Sequence, residues 1–262
     1  MKRLLLAGSA FSALIMPAMA ADMPIKALPA PPTWTGLYWG VNAGWIGGSE
    51  YNVTNTGTDT GIGGLGTGLA LGAIPGTIAV SHSGFIGGGQ IGYNWQIDPA
   101  WVAGIEADFQ GTTVNGSAGA ASLIGSVTTV YKYELDDLGT VRARLGWLSS
   151  PNLLWYGTAG LAYGQTKLTT TAQCPTFAPP CFTESTTSLS STHTSAGWTV
   201  GAGVEWKLTP IWSVKAEYLY GELGSQNNTI VYTYGPFTSS LTSTVQREKD
   251  NIVRFGVNYK IF

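Results

Sequence analysis

The sequence predicts an all-β fold, an eight-stranded antiparallel barrel. Eight separate segments alternate apolar and polar residues with a period of two, as half-exposed strands do. The connections between these segments alternate between short and long along the chain. An even number of strands, with short turns at one end and long loops at the other, is typical of a barrel that crosses a bilayer.

Each predicted strand has one apolar and one polar face. The apolar faces comprise alternate residues from Leu37 to Trp45, Phe85 with Ile91 to Ile97, Trp101 to Phe109, Leu135 with Val141 to Trp147, Trp155 to Tyr163, Trp198 to Trp206, Trp212 to Tyr220 and Val253 to Ile261. Ile86 is an exception, because it lies on the polar face of the second strand. The pattern therefore predicts apolar residues facing outwards and polar residues facing a closed interior.

The connections indicate which end of the barrel faces which compartment. Short ones lie at Asp98-Pro99, Ser150-Pro151-Asn152 and Thr209-Pro210, and long ones near 47–80, 112–130, 168–192 and 222–249. The long segments are rich in Gly, Thr and Ser, so we expect them to be mobile, solvent-exposed extracellular loops. The short turns should face the periplasm.

Tryptophans bracket every short turn. Six of the ten lie there, all on the apolar faces: Trp95, Trp101, Trp147, Trp155, Trp206 and Trp212. Indole prefers the membrane–water boundary, so these residues predict a periplasmic aromatic belt, and Trp45, Trp198 and Tyr220 would help to form the outer belt. A soluble β-sandwich is the alternative, but a sandwich has no reason to place tryptophans in pairs around its short turns.

Composition supports a membrane location. Charged residues make up 11% of the chain, against roughly 25% in an ordinary soluble domain. The 13 basic residues do not exceed the 15 acidic ones, so no nucleic-acid partner is indicated. Beyond residue 20, no apolar stretch is long enough for a transmembrane helix.

The N-terminal residues predict export. Lys2 and Arg3 precede the apolar run Leu4 to Met16, and Ala18-Met19-Ala20 is a small-x-small cleavage site. The run is short for a membrane anchor, so we predict a cleaved signal peptide at 1–20, a Pro-rich periplasmic tether at 21–34 and an outer-membrane barrel at 35–262.

The polar faces place charges inside the predicted barrel. We expect a lumen charge network, to which Lys260 adds a further base, formed by Glu106, Asp108, Arg142, Arg144, Glu205, Lys215, Glu217 and Arg254. Buried charges must be paired, and adjacent strands are close enough for cross-strand pairs. One interpretation is a salt-bridged filling that holds the barrel rigid, and the other is a narrow polar channel for ions or small solutes.

No catalytic, cofactor or metal site is predicted. His193, Thr194 and Ser195 resemble a base and nucleophile, but Glu205 lies ten residues beyond Ser195, about 33 Å away at roughly 3.3 Å per residue. No acid lies near His82-Ser83 in the sequence. We therefore predict that the chain is not an enzyme; a lipid-modifying barrel enzyme is the least favoured alternative.

Cys174 and Cys181 are the only two cysteines. Export makes a disulfide between them plausible, and it would close a loop of about eight residues, contributing about 2.5 kcal/mol on the chain-entropy model.

Several motifs, in order, closely resemble the small outer-membrane barrels of rhizobia and brucellae, the RopB-like relatives of the OmpA transmembrane domain. The matching segments are Trp34 to Trp45, Gly87 to Trp95, Gly160 to Gly164, Gly201 to Glu205 and Arg254 to Lys260. The resemblance covers nearly the whole predicted mature chain.

The resemblance implies a surface-exposed outer-membrane protein with a structural role in the cell envelope, in contact with outer-membrane lipid and lipopolysaccharide. It also implies insertion by the barrel-assembly machinery, which reads an aromatic C-terminal signal, here Tyr259 and Phe262. Ile261, rather than Phe262, is in register with Tyr259, which departs from the expected spacing.

Overall fold

The structure is a computed structural model that describes residues 33–48, 50–61, 65–72, 74–121, 128–174, 185–234 and 236–261. Strands account for most of these residues. The elements are β1 (Gly36–Gly48), β2 (Tyr51–Asp59), α1 (Leu65–Ala70), β3 (Thr77–Val80), β4 (Ser83–Gln96), β5 (Trp101–Ala121), β6 (Thr128–Ser150), β7 (Leu153–Cys174), β8 (Ser185–Lys207), β9 (Trp212–Leu223), β10 (Gln226–Tyr234), β11 (Phe237–Val245) and β12 (Glu248–Lys260). None of the described helices is long and apolar enough to span a bilayer.

Eight strands close into a barrel in the order β1-β12-β9-β8-β7-β6-β5-β4, and every pair is antiparallel. The barrel closes where β1 meets β12, with Trp39 opposite Tyr259 and Gly44 opposite Arg254. The predicted eight-stranded antiparallel barrel is therefore confirmed.

The two faces of the strands separate as their alternation predicts. In β1, Trp39 is 48% exposed on the outside whereas the neighbouring Tyr38 is 3% exposed on the inside. The same alternation runs along β4 and β12. An outer surface of exposed apolar side chains around a buried polar interior suits a barrel that is surrounded by lipid.

The predicted face of Leu135 is wrong. Leu135 is 2% exposed and points into the barrel, as do Tyr131 and Tyr133, whereas Val141 points outwards. The register of β6 against β7 shifts between Leu135 and Asp137. An extra residue at such a β-bulge reverses the side-chain alternation, so residues on either side of it cannot share one face.

The described parts of the long connections consist largely of strands, whereas we expected mobile loops. The hairpins β5–β6 and β7–β8 continue as strands as far as Ala121↔Thr128 and Cys174↔Ser185. The first and last long connections form a separate four-stranded sheet in the order β10-β11-β2-β3, with α1 packed beside it. Their many β-branched threonines and valines favour strands, although their abundant glycine and serine residues had indicated loops.

Candidate functional site: the barrel interior

Acidic and basic side chains fill the middle of the barrel. The structure brings together all eight predicted network residues, each at most 5% exposed: Glu106, Asp108, Arg142, Arg144, Glu205, Lys215, Glu217 and Arg254. Four acids thus meet four bases, so the network has no formal net charge. Lys260 does not join it, because its ammonium group lies at the short-turn end and donates to the carbonyl of Thr33.

Arg142 lies at the centre of this network. Its Nη2 donates to Glu106 Oε1 at 2.6 Å and to Asp108 Oδ2 at 2.8 Å, and its Nη1 donates to Glu217 Oε1 at 2.9 Å. Arg254 contacts Asp108 and Glu217 from the opposite side, at 2.9 and 2.6 Å. Four strands that are not all neighbours, β5, β6, β9 and β12, are therefore joined across the lumen.

Arg144 pairs mainly with an acid on a strand that is not adjacent to its own, whereas we expected pairs between adjacent strands. It pairs with Glu205 at 2.7 Å, and its distance to Glu106 is 3.6 Å. Its guanidinium carbon lies 4.0 Å from the ring centroid of Tyr156, and its Nη1 donates to Tyr38 Oη at 3.0 Å. The partner across the lumen is therefore preferred to one on the adjacent strand.

Neutral side chains complete the network, and the sequence analysis did not identify them. Tyr38 Oη donates to Glu106 at 2.7 Å, and Ser213 Oγ and Asn258 Nδ2 donate to Glu205 at 2.6 and 2.9 Å. Their positions on the inward faces were the available signal. They supply donors for carboxylate oxygens that the four bases alone do not satisfy.

Glycine makes room for the inward tyrosines. A Cβ at Gly203 would lie 2.6 Å from the Tyr156 ring and 2.8 Å from the Ala216 carbonyl oxygen. Gly160 stands beside Arg142 in the same way, where a Cβ would lie 2.9 Å from its Cγ. Gly203 and Gly160 thus admit large side chains rather than leaving space for water at these positions.

An apolar cluster, here called the apolar cap, fills the interior beyond the network at the long-loop end. It is made by Ile46, Tyr51, Val53, Val80, Ile86, Val114, Tyr131, Tyr133, Leu135, Leu138, Ala162, Leu168, Leu219, Leu223, Val245 and Ile252. Ile86 belongs to it, which explains an apolar residue on a polar face. The cap was not predicted from the sequence, although Tyr51 alternating with Val53 and Tyr131 alternating with Tyr133 were a signal for it.

A second apolar cluster, here called the inner plug, closes the short-turn end. It consists of Trp34, Val102, Leu148, Leu154 and Tyr156. Trp34 is 3% exposed, and its Nε1 donates to the Pro151 carbonyl at 3.1 Å. Assigning Trp34 to an extended tether was therefore wrong: a large indole gains more from burial in the barrel mouth than from extension into water.

The tryptophans around the short turns lie on the outer surface. All six are between 42% and 55% exposed, and Trp147 is paired with both Trp101 and Trp155. Trp39 and Tyr259 join them: their rings lie 6.2 Å apart, and Tyr259 contacts Trp212 at 5.0 Å. At the other end, Trp45 packs against Phe85 and Trp198 against Tyr220.

The structure does not bring His193, Ser195 and Glu205 together. His193 Nε2 contacts Ser191 Oγ at 2.8 Å, whereas Glu205 is buried with Arg144. His82 does have an acid beside it, contrary to the sequence analysis: its Nε2 lies 2.6 Å from Asp250 Oδ1. Barrel closure brings this distant residue of β12 near the start of β4, and a linear search cannot find it.

Some site predictions fall outside the described residues. Phe262, Cys181 and the side chain of Cys174 are among them. The described part of the chain contains no group of three metal-ligating side chains of the His, Cys, Asp or Glu type.

Comparisons with known proteins agree with this architecture. The model of the family described as outer membrane protein beta-barrel domain matches residues 6–260. The chain is 36% identical over 258 residues to a 31 kDa outer-membrane immunogenic protein of Brucella melitensis, covering 93% of each. It is 31% identical over 211 residues to a 22 kDa outer membrane protein of Rhizobium leguminosarum, covering 79% of this chain and 72% of the relative.

Among solved structures, the chain is similar to the outer membrane protein OprG of Pseudomonas aeruginosa. The TM-score is 0.42 at 13% identity, and the alignment covers 86% of this chain and 97% of OprG.

Proposed function

Because the chain belongs to the outer membrane protein beta-barrel domain family and is located in the outer membrane, we propose that it is a sealed structural barrel. In this role it strengthens the cell envelope and presents the sheet β10-β11-β2-β3 and the extended hairpins at the cell surface. Its relatives are named as outer-membrane proteins rather than as enzymes.

The observation that carries this proposal is the filling of the interior at three successive levels. The apolar cap occupies the long-loop end, the paired charges occupy the middle, and the inner plug occupies the short-turn end. An eight-stranded barrel is only just wide enough for side chains to fill it. A conducting path would have to displace all three fillings, which favours a structural role over a channel.

The narrow channel is therefore the weaker candidate, and it makes a distinct prediction. If Arg142 and Arg144 were the gate, replacing both with alanine would open or enlarge conductance. If the apolar cap, the charge network and the inner plug each close the lumen, the same double variant leaves the cap and the inner plug in place. Planar-bilayer recordings of the refolded variant should then show no steps, and reproducible steps would favour the channel.

The envelope role can be tested in cells that lack the gene. We expect such cells to become more permeable to a hydrophobic dye and more sensitive to detergent, and the wild-type chain to restore both. Arg142→Met should restore them poorly, whereas Lys132→Met, at an exposed ion pair with Glu134, should restore them fully. Normal permeability without the gene would contradict the proposal.

The partners follow from the same role. The exposed apolar side chains of the strands would contact outer-membrane lipid and lipopolysaccharide. Insertion would depend on the barrel-assembly machinery, for which Tyr259 and Phe262 are the proposed signal. Depletion of that machinery should leave the chain unfolded in the periplasm.

A further inference from the structure

Two lysines converge at the short-turn mouth of the barrel. Lys207 Nζ and Lys260 Nζ both donate to the carbonyl oxygen of Thr33, at 2.8 and 2.9 Å. The two ammonium groups therefore lie no farther apart than the sum of those distances. Holding two like charges this close is unfavourable unless an anion is present nearby.

No carboxylate of the described chain lies within ion-pair distance of this pair, although Glu205 acts electrostatically on Lys207 from farther away. Neither lysine forms an ion pair within the part of the chain that the structure describes. The nearby Glu205 is already satisfied by Arg144, Ser213 and Asn258. This contrasts with the network above, in which four acids balance four bases: among the described residues, no carboxylate forms an ion pair with either lysine at the mouth.

The pair is held in a built site rather than on mobile side chains. Lys207 is 7% exposed, and its Nζ lies 4.2 Å from the ring centroid of Trp34. Each ammonium group can donate three hydrogen bonds, and the Thr33 carbonyl oxygen accepts one from each. A cavity of about 20 Å³, bordered by both lysines, adjoins them. Such a cavity holds one water-sized group, for example a single anionic oxygen.

The other walls of the cavity indicate where that oxygen comes from. Ile211 of the β8–β9 turn and Trp212 at the start of β9 also line it, and these two residues are exposed on the outer surface, at 45% and 42%. The inward Glu205 lines it as well. Trp212 belongs to the aromatic belt, so the cavity lies at the depth of lipid headgroups. Basic pockets at this depth suit phosphate headgroups, whose glycerol and acyl parts would remain against the apolar rim.

We propose that Lys207 and Lys260 bind one phosphate group, supplied by an anionic phospholipid of the periplasmic leaflet. The site would hold a phospholipid against the seam where β9 and β12 meet. It would also fix the segment at Thr33 and Trp34 across the mouth, since the same ammonium groups hold the Thr33 carbonyl.

Native mass spectrometry of the refolded mature chain in detergent tests this, with phosphatidylglycerol, diacylglycerol and inorganic phosphate as separate probes. We expect phosphatidylglycerol to bind and diacylglycerol, which lacks the phosphate, not to bind. Each of Lys207→Gln and Lys260→Gln should lower the affinity about tenfold, as for loss of one charge-assisted hydrogen bond. Lys132→Gln, at the opposite end, is the matched control.

Two outcomes would overturn the proposal. If the wild type and the Lys207→Gln/Lys260→Gln variant retained phosphatidylglycerol equally, the two lysines would not be its binding site. If inorganic phosphate bound as tightly as phosphatidylglycerol, the site would bind a free phosphate ion, and the lipid would be excluded as its ligand. The mobility difference between unboiled and boiled protein on a gel identifies the variants that fold. If the double variant does not fold, the single variant Lys260→Gln, at the less buried lysine, is tested in its place.

Discussion

Replacing Arg142 with methionine should destabilise the barrel strongly. Methionine has a similar length but no charge, and it would leave Glu106, Asp108 and Glu217 without a guanidinium group that contacts all three within 2.9 Å. Arg142 is 1% exposed, so water cannot replace the lost donors. The remaining bases, among them Lys215 and Arg254, would face one more acid than they can balance.

The expected loss of unfolding free energy follows from the burial of the network. Removing one partner of a buried ion pair typically costs about 3–5 kcal/mol, because the other charge is left uncompensated. At roughly 1.4 kcal/mol per factor of ten, the ratio of folded to unfolded protein should fall by about two to three and a half orders of magnitude. An exposed pair such as Lys132–Glu134 contributes only about 0–1 kcal/mol.

Urea unfolding of the refolded protein, followed by tryptophan fluorescence, measures this difference, with Lys132→Met as the control. Adding Asp108→Asn to Arg142→Met should recover part of the loss, since it removes one of the stranded acids. If Arg142→Met unfolded at the same urea concentration as Lys132→Met, the network would not be a structural core of the barrel, and the reasoning would be refuted.

Three further changes test other parts of the structure. Trp34→Ala should cost about 3–5 kcal/mol in the same unfolding assay, as for other buried aromatic truncations; no loss would mean that the inner plug is unimportant. Gly203→Val should displace the Tyr156 ring and lower the urea midpoint, which an unchanged midpoint would contradict. Burial alone would raise the pKa of Asp59, but hydrogen bonds from Ser239, Gly66 and Thr67 lower it to about 2. Because this folded-state pKa lies below the ordinary value near 4, the sheet β10-β11-β2-β3 should be fully stabilised above pH 4 and lose that contribution as the pH falls towards 2. Hydrogen exchange of β2 and β11 would show this loss, and Asp59→Asn should abolish the pH dependence.

The sequence was sufficient for the barrel because a strand's period is local. Alternation in each segment identifies the outward Trp39 and the inward Arg142 without knowledge of the neighbouring strands. The same locality explains the error at Leu135: one extra residue in a bulge reverses the faces, and nothing in the alternation marks where that residue lies.

Partners across the lumen were beyond sequence reasoning for a geometric reason. Arg144 lies on β6, between β5 and β7, yet it pairs with Glu205 of β8. His82 contacts Asp250 only because the barrel closes. These pairs depend on the diameter and tilt of the closed barrel. The sheet β10-β11-β2-β3 was not predicted, because the glycine- and serine-rich composition of the long connections indicates loops.

Single-channel recording of the refolded wild-type protein in a planar bilayer most directly tests whether the barrel is sealed. Three fillings of the interior predict a flat baseline from protein that still shows a mobility shift on boiling. Reproducible conductance steps from the same preparation would mean that the cap, the network and the plug do not close the lumen together, and would contradict the proposed structural role.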